Sequence, residues 1–199
     1  MPNWCNNNIV ITHNDKDKIK ALFEKIQLWT SKDYKENGFG NNWLGNVVYG
    51  SEIDSDNLEF RGLITYLEFI DLKDKGGEIN MFADTAWCPM IKMWQRVVDK
   101  HCSGADITFN AEEPGCGVYV TNDYDYDGMY VIDIYGNIPD GFEDGWESMW
   151  EANKETVIDF CQKALKTDET DIEKLLESVS ELDWVSINKW EHCEINDCE

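Results

Sequence analysis

The fold is decided by residues 8–29, which read NIVITHNDKDKIKALFEKIQLW. Residues 8–12 form a short β-branched run, which is typical of a strand. Asn14 or Asp15 can then cap a helix, because either side chain can accept hydrogen bonds from the first free backbone N–H groups. Behind the cap, apolar side chains recur at helical spacing, at Ile19, Leu22, Phe23, Ile26 and Trp29. The stretch therefore predicts a strand followed by an amphipathic helix.

Toward the C-terminus the same two patterns alternate. Residues 60–70 suit either a strand or a helix, and their Ile, Thr, Tyr and Phe content favours a strand. Pro89 suits the first position of a helix that Gly104 ends. Further strands are predicted at residues 47–49, 79–83 and 107–109, and a hairpin at residues 117–121 and 129–135. This order predicts an α+β fold, in which residues 1–136 form a ferredoxin-like split β-α-β sheet with helices on one face and an insertion around residues 31–60.

The composition changes after the turn-rich residues 137–141. Beyond them, apolar side chains define two helical faces, one at Trp146, Met149, Trp150, Val157, Cys161 and Ala164 and one at Ile172, Leu175, Leu176, Val179 and Leu182. Residues 142–199 are therefore predicted to form an acidic helical C-terminal region appended to the first domain. The last nine residues are polar, and we expect them to fray.

Charge is the dominant feature of the composition. Among 199 residues, 40 are acidic and 17 are basic, which gives a formal net charge of -23. Solubility alone needs a net charge of about 2–8 in magnitude for a small domain. Since phosphate binding requires Lys and Arg, this charge argues against direct binding to nucleic acid or to an anionic membrane. We expect a basic protein as partner instead.

The seven cysteines indicate a reducing compartment. Their number is odd, no Cys-x-x-Cys pair occurs, and residues 1–8 lack the basic and apolar regions of a secretory signal. No apolar run has the length of a membrane span. We therefore expect a cytoplasmic protein whose cysteines serve mainly as small buried apolar residues. No P-loop, dinucleotide fingerprint or nucleophile elbow occurs, and no cofactor is expected.

Four segments resemble the YubB-like family of phage and plasmid proteins. They are MPNWCNN at 1–7, NWLGNVV at 42–48, DTAWCP at 84–89 and AEEPGCG at 111–117. The resemblance extends from residue 1 to about residue 121. It implies a ferredoxin-like fold and an origin on a phage or other mobile element. It implies no enzymatic activity, because the family has no established catalytic residues to transfer.

Acidic residues in the C-terminal region repeat every fourth position. One series comprises Glu143, Glu147, Glu151, Glu155 and Asp159, and the second comprises Glu169, Glu173, Glu177 and Glu181. On a helix, residues four apart lie roughly 6 Å apart along one face, and like charges there cost about 0.2–0.5 kcal/mol per pair. Two such stripes could imitate a nucleic-acid backbone and occupy a basic groove. The alternative is a solvated helix face, which is common.

Residues 123–128, DYDYDG, match the opening of a calcium loop, with Asp123, Asp125 and Asp127 as alternate carboxylates. The complete loop needs Glu at its twelfth position, where this chain has Ile134. The mismatch favours an acidic hairpin turn over a metal site.

Two cysteine-containing segments could also carry chemistry. Glu112 and Glu113 near Cys116 could suggest acid/base or nucleophilic catalysis, but two carboxylates oppose a thiolate, which favours a tight turn. His192, Cys193 and Cys198 could bind zinc, but without a paired Cys-x-x-Cys element a polar tail is favoured.

Together, these patterns predict a non-catalytic phage or mobile-element interaction protein. Its acidic stripes would inhibit a host nucleic-acid-binding defence factor, such as a CRISPR effector or a restriction nuclease. The alternatives are a phage scaffold or assembly protein without mimicry, or a small metal-dependent enzyme centred on Asp123, Asp125 and Asp127. The sequence leaves the oligomeric state open.

Overall fold

The computed structural model describes residues 3–31, 39–142 and 149–198. The chain is a mixed α+β protein that divides into two compact units. Unit 1 comprises Met1–Asp123 and His192–Glu199, and unit 2 comprises Tyr124–Glu191. Within the described ranges, every helix is too short or too polar to traverse a bilayer.

In chain order, the elements are β1 (Trp4–His13), α1 (Lys16–Thr30), α2 (Leu44–Ser51), β2 (Gly62–Asp71), β3 (Gly77–Ala86), α3 (Ile91–His101), β4 (Asp106–Glu113), β5 (Val118–Thr121), β6 (Tyr130–Ile134), β7 (Met149–Ala152), α4 (Lys154–Leu165), α5 (Ile172–Val179), β8 (Val185–Lys189) and β9 (Glu191–His192). One sheet has the order β2-β3-β1-β4-β5-β9, and a second has the order β7-β6-β8. In the first sheet, each pair of neighbours in the order β2-β3-β1-β4-β5 is antiparallel. The strands of the second sheet are also antiparallel.

Unit 1 buries one face of its sheet against its helices. On β1 the alternate residues Cys5, Ile9 and Ile11 are fully buried, and they join a core that α1, α2 and α3 complete. The helix predicted behind residue 14 is confirmed. It begins after Asp15, whose carboxylate accepts the backbone N–H groups of Asp17 and Lys18 at 3.1 and 3.2 Å.

Unit 2 has a separate core. Alternate residues of the central strand β6, namely Tyr130, Ile132 and Ile134, pack against the apolar sides of α4 and α5. Both helices therefore cover the same face of the three-stranded sheet. This core contains none of the buried residues of unit 1.

The predicted hairpin between residues 117–121 and 129–135 is wrong. β6 pairs with β7 and β8 in the second sheet rather than with β5. Alternation identifies a strand but carries no information about which strand pairs with it. The predicted domains, 1–136 and 142–199, shift accordingly, because the chain divides after Asp123 and residues 192–199 return to unit 1.

Three local predictions also need correction. The expected strand at 47–49 lies inside α2, so the insertion around 31–60 contains a helix. The C-terminal region is not purely helical, because it contributes β7 and β8. The tail expected to fray contributes β9 and is described as far as Cys198. Cys198 is 5% exposed, and a disulfide joins it to Cys193.

Candidate functional site

The first predicted acidic stripe is not a continuous helix face. Glu143 and Glu147 lie outside the described residues. Glu151 lies on β7, where it pairs with Val131. The helix α4 starts only after Asn153, whose side-chain oxygen accepts the backbone N–H of Thr156 at 2.9 Å.

The second stripe is interrupted at both ends. Asp171 caps α5, so Glu169 precedes the helix, while Glu181 follows its C-cap. The Glu169 carboxylate accepts the backbone N–H groups of Thr170 and Asp171 at 2.9 and 3.0 Å. These N–H groups, and the Lys174 ammonium at 3.5 Å, hold the pKa of the Glu169 carboxyl below its usual value. Glu169 therefore organises the turn before α5 rather than extending a charged face.

Four carboxylates of the two stripes do share one layer. Glu155 and Asp159 lie on α4, and Glu173 and Glu177 lie on α5. Each pair is four residues apart and lies on the side of its helix opposite the core residues. All four residues are exposed. Because both helices pack on the same face of the sheet, the four side chains belong to one outer surface, which we call the outer acidic surface.

The outer acidic surface forms no ion pair within the part of the chain that the structure describes. Among the described residues, no Lys, Arg or His nitrogen lies within 4 Å of its four carboxylates. Unit 2 has five lysines against 18 acidic residues, a net charge of −13 over 68 residues. Two of the lysines are engaged elsewhere. Lys163 bonds the Gly141 carbonyl and lies 4.5 Å from the centre of the Phe142 ring, and Lys174 bridges Glu169 and Asp171.

The charge is concentrated in unit 2. Unit 1 has 22 acidic and 12 basic residues, a net charge of −10 over 131 residues. The charge per residue is thus more than twice as high in unit 2. The outer acidic surface lies in the unit with the higher density of negative charge.

The three aspartates of the acidic turn are not grouped around a common point. Asp125 lies in a single 3-10 turn, Tyr124–Tyr126, which ends before β6 begins. Throughout the described ranges, no group of three or more His, Cys, Asp or Glu side chains is placed to hold a metal ion. Asp123, Asp125 and Asp127 therefore do not converge as a calcium loop requires.

The segments that carry the family resemblance meet at one end of the unit 1 sheet. Because β1 runs antiparallel to both neighbours, its first residues lie beside the last residues of β3 and β4. Trp4 pairs with Ala86, and Asn6 pairs with Glu112. Trp43 bridges to Leu63 at the start of β2. Sequence reasoning treated these segments separately and missed that an antiparallel sheet brings them together.

A buried hydrogen-bond network supports this end of the sheet. The Asn7 Nδ2 lies 2.8 Å from the Thr85 Oγ1 and 2.9 Å from the Ala83 carbonyl oxygen. The Thr85 hydroxyl also lies 2.7 Å from the Cys88 carbonyl oxygen. Trp87 follows with a φ of 76°, a backbone conformation that is costly for a bulky residue. The network holds the start of β1 against the end of β3 and fixes the turn that follows β3.

Cys5 and Cys116, which lie at this end, are not activated. Burial raises the pKa of the Cys5 thiol to about 12. A hydrogen bond with Glu113 raises the pKa of the Cys116 thiol. Both groups remain protonated at neutral pH, whereas a nucleophile must be a thiolate. Residues 114–116 form a single 3-10 turn, so the predicted tight turn is confirmed.

Comparison with family models, with curated proteins and with solved structures finds no match to this chain. The resemblance to the YubB-like family therefore stays a prediction from the four segments.

Proposed function

We propose that this chain is a non-catalytic interaction protein whose outer acidic surface binds a basic surface of another protein and competes there with nucleic acid. The observation that carries the proposal is the outer acidic surface itself. Four exposed carboxylates share one layer of a unit with a net charge of −13, and no basic side chain among the described residues forms an ion pair with them. Such a surface attracts the Lys- and Arg-rich grooves that nucleic-acid-binding proteins use for phosphates.

The geometry supports a compact charge array rather than a continuous stripe. Along each helix the two carboxylates are about 6 Å apart, and packed helices lie about 8–10 Å apart. The array therefore resembles a short patch of phosphate charge, not the path of a long strand. This form of competition predicts fast association and a strong dependence on salt.

The fold and origin form the second part of the proposal. The order β2-β3-β1-β4, with α1 after β1 and α3 after β3, supports a ferredoxin-like split β-α-β arrangement in unit 1. The four segments of the YubB-like family support an origin on a phage or other mobile element. From these we infer the class of target, a host nucleic-acid-binding defence factor such as a CRISPR effector or a restriction nuclease.

The test is an affinity capture from bacterial host lysate with the full chain as bait. A matched pair of variants isolates the outer acidic surface. One reverses Glu155, Asp159, Glu173 and Glu177 to Lys. The control reverses four exposed carboxylates of unit 1, at Glu24, Asp56, Asp74 and Asp99.

Both variants change the net charge from -23 to −15. We expect the wild type and the control to retain a basic nucleic-acid-binding protein that elutes as salt rises, and the unit 2 variant to lose it. Competition with a DNA or RNA duplex for the captured protein then tests mimicry directly. Equal capture by both variants, or indifference to the duplex, would reject the proposal.

A further inference from the structure

The unit 1 sheet has a second face with an unusual composition. Helices cover the face that carries Cys5 and Ile9, so alternation directs the intervening side chains to the other side. Trp4, Tyr66 and Phe82 lie there, on three different strands. We call the side of β1–β4 that carries these three residues the open sheet face.

Large aromatic side chains are exposed on this face. Trp4 is 45% exposed, Tyr66 42% and Phe82 48%. Tyr66 and Phe82 are cross-strand partners, and their ring centres lie 5.4 Å apart. Aromatic side chains that are exposed together on adjacent strands are typical of an interaction surface.

The charges of the open sheet face all have one sign. The strands β1, β2, β3 and β4 contain no lysine or arginine. The register places five carboxylates on this face, at Glu68, Glu78, Asp84, Asp106 and Glu112. Asp84 and Glu112 flank Asn6 on its two neighbouring strands. A partner for this face must bring positive charge.

We propose that the open sheet face binds an arginine-rich segment of another protein. A guanidinium can stack on an aromatic ring while its N–H groups bond a carboxylate in a bidentate fork. Tyr66 and Phe82 provide such rings. Glu68 lies next to Tyr66, and its carboxylate accepts a hydrogen bond from the Tyr66 hydroxyl at 2.6 Å. This surface lies in unit 1 and does not depend on the proposed role of unit 2.

Two other occupants are disfavoured by the same charges. Single-stranded nucleic acid stacks on aromatic sheet faces, but it also requires cations to hold its phosphates. A second copy of this chain, docked through the same face, would bring five more carboxylates against the first five. An arginine-rich polypeptide satisfies both the aromatic and the acidic groups.

The probe is a fluorescein-labelled octa-arginine peptide, and its affinity for the full chain is measured by fluorescence anisotropy. The test variant replaces Tyr66 and Phe82 with Ser. The control variant is Leu28→Ala, which truncates an exposed apolar residue of α1. At about 0.5–1 kcal/mol for each exposed cation–π contact, loss of two contacts weakens binding about five- to thirtyfold. Octa-lysine and an oligo-dT of eight nucleotides serve as comparison ligands.

We expect octa-arginine to bind more tightly than octa-lysine, and oligo-dT not to bind. NMR spectra should show the peptide shifting the Trp4 indole N–H resonance, which a Trp4→Phe variant identifies. The same measurements on the variant reversed at Glu155, Asp159, Glu173 and Glu177 separate the two surfaces. Retained shifts at Trp4 locate the binding in unit 1 even if the proposed function of unit 2 fails. Equal affinity of wild type and the Tyr66/Phe82 variant, equal affinity for the two peptides, or shifts confined to unit 2 would overturn the inference.

Discussion

Removing one carboxylate from each pair of the outer acidic surface is expected to stabilise unit 2. Glu155 and Asp159 are like charges at i and i+4, as are Glu173 and Glu177, and each pair costs about 0.2–0.5 kcal/mol. The double variant Asp159→Asn with Glu177→Gln should therefore raise the free energy of unfolding of unit 2 by about 0.4–1 kcal/mol. If unit 2 unfolds in its own transition, this raises its Tm by about 2–8 °C.

The matched control neutralises the other member of each pair. Glu155 and Glu173 lie in the first turns of α4 and α5, where a negative charge interacts favourably with the helix dipole by about 0.3–1 kcal/mol. Glu155→Gln with Glu173→Gln removes the same repulsion but also loses this attraction. We expect no net stabilisation of unit 2 in this control, and a lower Tm if the dipole contribution is the larger.

Scanning calorimetry at 20 mM and 1 M NaCl provides the assay. At 1 M salt the screening length is about 3 Å, so the gain from Asp159→Asn and Glu177→Gln should disappear. A variant that is unchanged or less stable at low salt would show that these carboxylates do not repel one another. The outer acidic surface would then not be electrostatically uncompensated, whatever the binding measurements give.

Three further outcomes are expected. Asn153→Ala removes the N-cap of α4 and should destabilise unit 2 by about 0.5–2 kcal/mol, measured by urea unfolding. Partial burial raises the pKa of the Asp133 carboxyl, so its ionisation opposes folding. Asp133→Asn should therefore stabilise the protein at pH 7, and a pH series should show the advantage fading as pH falls through the folded pKa and vanishing below the unfolded value of about 4. Burial raises the pKa of Cys5 to about 12 and of Cys161 to about 11, so mass spectrometry should find both unmodified after iodoacetamide at pH 8 and alkylated when urea is present.

Local patterns in the sequence were sufficient for most elements of unit 1, with the exception of α2, where a strand was expected at residues 47–49. The helix α1 was predictable because its cap, Asp15, and its buried residues all lie within 15 positions of one another. The strands β2 and β3 were likewise predictable from composition and alternation. These signals depend only on neighbours in the chain, which a single sequence contains.

Pairing was not predictable in the same way. The strand β6 was correctly placed, but its partners β7 and β8 follow it by 15 or more residues. Acidic residues at every fourth position predicted two continuous helical stripes. This prediction is wrong, because Glu151 lies on β7 and Glu169 lies in a turn. A periodic series of exposed charges is not held in place by a core, whereas a periodic series of apolar residues is.

The two proposed surfaces can be separated by the kind of contact that each one makes. The outer acidic surface acts through charge, so reversing it should lower both the affinity for a partner and the dependence of that affinity on salt. The aromatic rings of the open sheet face carry no charge, so Tyr66→Ser with Phe82→Ser should lower affinity while leaving the salt dependence nearly unchanged. A partner contacts unit 2 alone if the salt dependence of its binding changes only in the unit 2 variants. Its affinity should then be the same with and without the rings of Tyr66 and Phe82. A partner sensitive to both sets contacts both units, and its specificity then depends on the arginine side chains that reach the rings.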